Sequence, residues 1–155
     1  MNIKTNKMKA IRFSNLSAGI CYFFILAGLA LLLQSCGASK HAFAISSVVP
    51  EAKGSVTVKK DNNSNYNIDL SVMHLADPKR LTPPKEMYVL WMETEQNGTK
   101  NIGQLKTSSS LLSKTMKSSL KTESSSKPTR FFITAEDQAN NENPGGVEVL
   151  TTGSF

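Results

Sequence analysis

Apolar and polar positions divide the chain into one unbroken apolar run and a long alternating region. The run extends from near Leu16 to Leu33, carries no charge, and follows a basic start of Lys4, Lys7, Lys9 and Arg12. From Gly54 onward the period is two. Val56 and Val58 alternate with Ser55, Thr57 and Lys59, and Tyr66, Ile68, Leu70 and Val72 alternate with Asn65, Asn67, Asp69 and Ser71. Successive side chains of a strand point to opposite faces, so this pattern predicts two half-buried strands. Asp61-Asn62-Asn63-Ser64-Asn65 between them is a cluster of residues that bond their own backbone, which makes the pair a hairpin.

Further along, Asp77-Pro78 and Pro83-Pro84 forbid a helix or strand interior. Met87 to Met92 is apolar on both faces, as a central strand requires. Asn97-Gly98 reaches positive φ easily and suits a tight turn. Asn101 to Leu105 is the return strand, in which Gly103 marks a bulge or a close backbone approach. Lys106 to Thr129 is ambiguous. Leu112, Met116 and Leu120 are four apart, as on one face of a helix, but so much Ser and Thr gives poor helix propensity. A strand near Thr115–Thr122 flanked by loops is the preferred reading. Arg130 to Glu136 is a strong strand, Asp137 to Gly146 a turn region, Val147 to Thr152 the last strand, and Phe155 a terminal plug. About seven short strands and no helix after the N-terminal segment predict an all-β fold, an antiparallel β-sandwich.

The first 36 residues carry an address. A basic region, an apolar region and a small residue before a cut form a secretory signal. Leu33-Gln34-Ser35-Cys36 resembles the lipobox of bacterial lipoproteins: Leu33 at the branched apolar position, Ser35 before the cut, Cys36 as acceptor. The resemblance implies cleavage between Ser35 and Cys36, a diacylglyceryl group on the Cys36 sulfur and a further acyl chain on the new amine. Two or more chains hold a protein stably at a membrane where one does not. The alternative is an uncleaved anchor. However, Ala18 to Leu33 would span only about 24 Å as a helix against a hydrocarbon core of about 30 Å. The expected organisation is a signal peptide over 1–35, a lipidated tether over 36–53 and a sandwich domain over 54–155. Ala42 to Val49 is apolar enough to leave a first short strand open.

Charge and cysteine content change meaning under this reading. The chain has 18 Lys and Arg against 12 Asp and Glu. Four of the basic residues and none of the acids precede Cys36, so the mature part carries 14 against 12. A net of about +2 does not support nucleic-acid binding. Cys21 leaves with the signal and Cys36 is taken by lipid, so the mature domain is expected to hold together by its core rather than by a disulfide.

Several segments occur in a suggestive order. Tyr88-Val-Leu-Trp91 follows a Pro-rich loop; Asn101-Ile-Gly-Gln-Leu105, Phe132-Ile-Thr-Ala-Glu136 and Pro144-Gly-Gly before an apolar final strand come after it. In this order, and on Trp91, Gly103, Glu136 and Pro144, the stretch from Ala52 to Phe155 resembles the extracytoplasmic C-terminal domain of anti-sigma-K factors. The resemblance implies a β-sandwich outside the membrane with a sensory or regulatory role. The lipobox stands where that family has a membrane helix leading to a cytoplasmic sigma-binding segment. No sigma-binding residue can therefore be carried over.

Candidate chemistry is sparse. His41 falls in the expected tether and His74 at a strand end beside Met73, a poor start for a copper site. Glu136, Asp137, Asn140, Asn141 and Glu142 offer oxygen atoms but match no calcium-loop spacing, and a polar turn with Glu136 bonding nearby backbone is the plainer reading. No serine has a credible base partner or a nucleophile elbow. Trp91 on a central strand reads as core. The expectation is a non-enzymatic, lipid-anchored protein of the cell envelope that faces the periplasm or exterior. It needs no cofactor or metal, holds the membrane through Cys36 and binds an envelope protein. The alternative is a carrier lipoprotein for a small molecule, metal or glycan.

Overall fold

The computed structural model describes residues 37–109 and 116–155. Nine strands occur among them: β1 (Ala38–Ala42), β2 (Lys53–Lys60), β3 (Tyr66–Met73), β4 (Met87–Thr94), β5 (Gly98–Gln104), β6 (Lys106–Ser109), β7 (Met116–Ser124), β8 (Pro128–Glu136) and β9 (Val147–Thr151). They form a five-stranded sheet, β1-β2-β3-β7-β6, and a four-stranded sheet, β5-β4-β8-β9. Every pairing is antiparallel. The fold is the all-β sandwich that the alternation predicts.

Period two does most of the assembly. Val56, Val58, Ile68, Leu70 and Val72 from the larger sheet meet Tyr88, Leu90, Met92, Phe131, Ile133 and Leu150 from the smaller one in a single buried cluster. The β2–β3 turn is fixed by Asp61, whose Oδ1 accepts from the backbone N–H of Asn63 and of Asn65 at 2.8 Å each. Ser64 takes a left-handed φ of 67° there. Gly98 does the same at the β4–β5 turn, with φ 66°. Of the two readings of Gly103, a bulge or a close backbone approach, the structure shows the bulge: its φ is 135° and the β4–β5 register shifts between Leu90 and Trp91.

Three expectations need correction. Among the described residues there are nine strands rather than about seven. Ala38–Ala42, expected as tether, pairs along its whole length with β2, from Ala38 opposite Lys59 to Ala42 opposite Ser55. The open question at Ala42–Val49 is thereby answered one segment earlier. Lys106–Ser109, expected as loop, pairs with β7. The favoured strand in the Ser-rich region exists, as β7. In both additional strands, backbone groups of a neighbouring strand supply what the side-chain pattern lacks.

The two added strands also link the sheets. Leu105 is buried, and its N–H bonds the Tyr88 carbonyl as the chain crosses from β5 to β6. On the other flank, Phe43 bridges to Thr152 and the Ala44 N–H bonds the Thr151 carbonyl, so the chain leaving β1 reaches the edge at β9. Both flanks of the sandwich are thus tied, which limits open strand edges.

Candidate functional site

The smaller sheet is buried on both faces. Val89, Trp91 and Phe132 point away from the inter-sheet core and form a second cluster with Met87. Trp91 is fully buried there, so it is core as expected, but not between the sheets. Trp91 Nε1 donates to Thr134 Oγ1 at 2.7 Å, and that hydroxyl donates to Glu136 Oε1 at 2.6 Å. The same carboxylate oxygen accepts from the backbone N–H of Gly145 at 3.1 Å and Gly146 at 3.0 Å, and Asn141 Nδ2 donates to Oε2 at 3.2 Å. Glu136 is only 2% exposed.

This network holds down the segment from Asp137 to Gly146. Asn101 on edge strand β5 donates through Nδ2 to the carbonyls of Ala139 and Asn141, both at 2.9 Å. A loop tied to β5 and to Glu136 on β8 must cross β4, which lies between them. It thereby covers Trp91. Trp91, Glu136 and the Pro144-Gly145-Gly146 stretch, named separately in the sequence, converge on one feature. The plain reading of Glu136, bonding nearby backbone, is the observed one, although the carboxylate is buried rather than solvated. Among the described residues no three His, Cys, Asp or Glu side chains group as metal ligands.

At one end of the sandwich the β2–β3, β4–β5 and β7–β8 turns enclose a polar cleft of about 400 Å³. Lys60, Tyr66, Gln96, Asn97 and Lys127 line it, and Lys60 Nζ lies 5.9 Å from the Tyr66 ring centre. Its floor is ordered by Ser126, whose Oγ accepts from Asn97 Nδ2 at 3.1 Å and Lys100 Nζ at 2.8 Å. The sequence reading missed this cleft. Its residues come from three turns far apart in the chain, and only the strand register brings them together.

The remaining residues singled out in the sequence stand apart. Ser35 and Cys36, the cleavage and lipid-attachment positions, lie outside the described residues. Met73 is half-exposed at the end of β3, and the exposed His74 follows it with a left-handed φ of 59°. His41 lies on β1, stacked on Phe155 with ring centres 3.4 Å apart. Burial holds its pKa below the ordinary histidine value. Phe155 also stacks on Phe131 at 6.0 Å but stays 43% exposed, so it lies against the end of the core without plugging it. No described helix is long and apolar enough to cross a membrane. No family model, curated protein or solved structure matches the chain significantly.

Proposed function

We propose that the chain is a lipid-anchored protein of the cell envelope whose domain binds another envelope protein through the cleft end of the sandwich, without catalysing a reaction. Cys36 supplies the anchor in this reading, and the domain faces the periplasm or exterior. The anti-sigma-like order of segments makes a regulatory partner the natural one.

The observation that carries the reading is the contrast between a filled interior and a polar, loop-built end. Leu70, Leu90, Met92, Phe131 and Ile133 occupy the space between the sheets and are fully buried. Recognition groups with varied chemistry (Lys60, Tyr66, Asn97, Lys127) gather instead on turns held by a rigid scaffold, where binding residues concentrate. A filled core favours surface recognition over carriage of a ligand in the interior.

The test is cross-linking and capture from envelope extracts under several growth conditions. Wild-type protein and a Lys60→Glu/Lys127→Glu variant are compared. A partner captured by the wild type and lost from the variant is the expected result. Failure of any partner to depend on these lysines would remove the cleft from the reading, and failure to enrich any partner would remove the binding role.

A further inference from the structure

The outward face of the five-stranded sheet carries an unbalanced charge. Register places Ser55, Ser71 and Ser119 in one row across β2, β3 and β7, and Thr57, Asp69 and Lys121 in the next. Around these short side chains stand Lys40, Lys53, Lys59, Lys106, Lys117 and Lys121, all exposed. The acids on this face are Asp69 and Glu123, and Lys121 Nζ pairs with Asp69 Oδ2 at 3.0 Å. Taking these residues out of the mature chain's 14 basic and 12 acidic positions leaves eight basic against ten acidic. The small net charge of the mature chain therefore conceals a basic face on an otherwise acidic molecule.

Ala38, two residues after the expected attachment position, lies at the corner of that face. Ala38 pairs with Lys59 at the end of β1, on the outward side of the sheet. The expected tether is a strand, so only Gly37 separates Cys36 from Ala38. Two residues of chain span at most about 7 Å. With Ala38 and Lys59 about 5 Å apart across the strand pair, an acyl group on Cys36 holds the bilayer surface within about 10–15 Å of Lys59. With five strands about 4.8 Å apart, the face measures roughly 20 Å across, enough to rest on many lipid headgroups.

We infer that this face lies flat on a bilayer bearing anionic lipid phosphates, with lysines meeting the headgroups and the loop-covered smaller sheet turned outward. The inference rests on the lipid-anchor reading above. It assigns the acyl chains and the basic sheet complementary parts: one fixes the protein to the membrane and the other fixes its orientation. Each lysine near an anionic surface adds about fivefold to the affinity, and the effect fades beyond a screening length.

The test uses the processed protein extracted from membranes and reconstituted in vesicles. A fluorophore is placed at Ser71→Cys on the face or at Asn140→Cys on the loop over the smaller sheet. Quencher is carried on the lipid headgroups. In phosphatidylcholine vesicles with about one-third phosphatidylglycerol, Ser71→Cys is expected to be quenched severalfold more than Asn140→Cys. The difference should collapse in pure phosphatidylcholine, in about 1 M salt and in a Lys40→Glu/Lys59→Glu background. Equal quenching at both positions in anionic vesicles, or a Ser71→Cys signal unchanged in neutral ones, would overturn the inference. The mass of the N-terminal peptide reports acylation separately. An acylated chain without face contact sinks the orientation alone, and an unacylated chain sinks the anchor.

Discussion

Glu136 is the residue on which the outer layer of the smaller sheet depends. Its carboxylate accepts four hydrogen bonds while almost wholly buried. Truncation leaves two backbone N–H groups and a hydroxyl without their acceptor, and each such loss costs about 1–3 kcal/mol. Glu136→Ala is therefore expected to lower stability by about 3 kcal/mol or more, and Glu136→Gln by less, in urea unfolding. Gly146 is required for a different reason. A Cβ there would fall 1.7 Å from the Ala135 carbonyl oxygen. Gly146→Ala should cost about 2–4 kcal/mol, or displace the loop and raise the exposure of Trp91 to fluorescence quenchers. Tyr88 sets an alkaline limit. Its hydroxyl donates to the Ala76 carbonyl at 2.9 Å, and burial, with a smaller contribution from Asp77, pushes its pKa up to about 12. The folded state keeps this proton where the unfolded chain releases it at about pH 10, so the stability it provides is complete below about pH 10 and falls as pH rises toward 12. Tyrosinate absorbance should show one tyrosine titrating last, and Tyr88→Phe should remove that late step. At the anchor, Cys36→Ser should abolish acyl labelling and leave the precursor uncleaved; normal processing of the variant would overturn the lipobox reading.

At the scale of elements, β1 and the C-terminus stabilise each other. The Phe155 N–H bonds the Thr129 carbonyl while the ring stacks on His41 and Phe131. Phe155→Ala should cost about 1 kcal/mol, the usual worth of an aromatic pair, with increased amide exchange along Ala38–Ala42. His41 links this contact to pH. Its folded pKa lies below its unfolded value because burial disfavours the charged ring. Its contribution is therefore present above about pH 6.5 and lost as pH falls through the lowered value. Phe155→Ala should return the His41 titration, followed by proton resonances, toward the ordinary value. The elements also show why some parts were legible in sequence and others were not. β2, β3, β4 and β8 contain enough apolar side chains, at period two or in a continuous run, to declare themselves. Ala38-Ser-Lys-His-Ala42 and Lys106-Thr-Ser-Ser109 do not, because their strand conformation comes from pairing with β2 and β7 rather than from their own side chains.

For the whole molecule, the arrangement of two flanks and two outer faces matters more than strand count. The inter-sheet core is continuous, so a substitution such as Leu90→Ala should cost about 2–5 kcal/mol in a single cooperative transition. The outer faces differ. One is covered by the loop that Glu136 and Asn101 hold; the other is open and basic, with a depression lined by Thr57, Lys59, Asn67, Asp69 and Lys121. A partner at the cleft end and a lipid surface under the open face would meet where Lys59 adjoins Lys60; Lys40 and Lys59 themselves are exposed and outside the core. Charge reversal at Lys40 and Lys59 should therefore change orientation without unfolding the domain, a separation that circular dichroism and thermal melting can verify.

The sequence by itself determined the sheet class, the principal hairpins and the inward-facing side chains, because alternation and turn chemistry act between near neighbours. It also supplied the expectation of a lipidated Cys36. Tertiary structure alone decided which flanks are tied, that Trp91 is covered by a loop rather than by the opposite sheet, and that six lysines share one face. Those features depend on register between strands distant in the chain. The same near-balanced set of charges is compatible with many surface arrangements until that register places each residue.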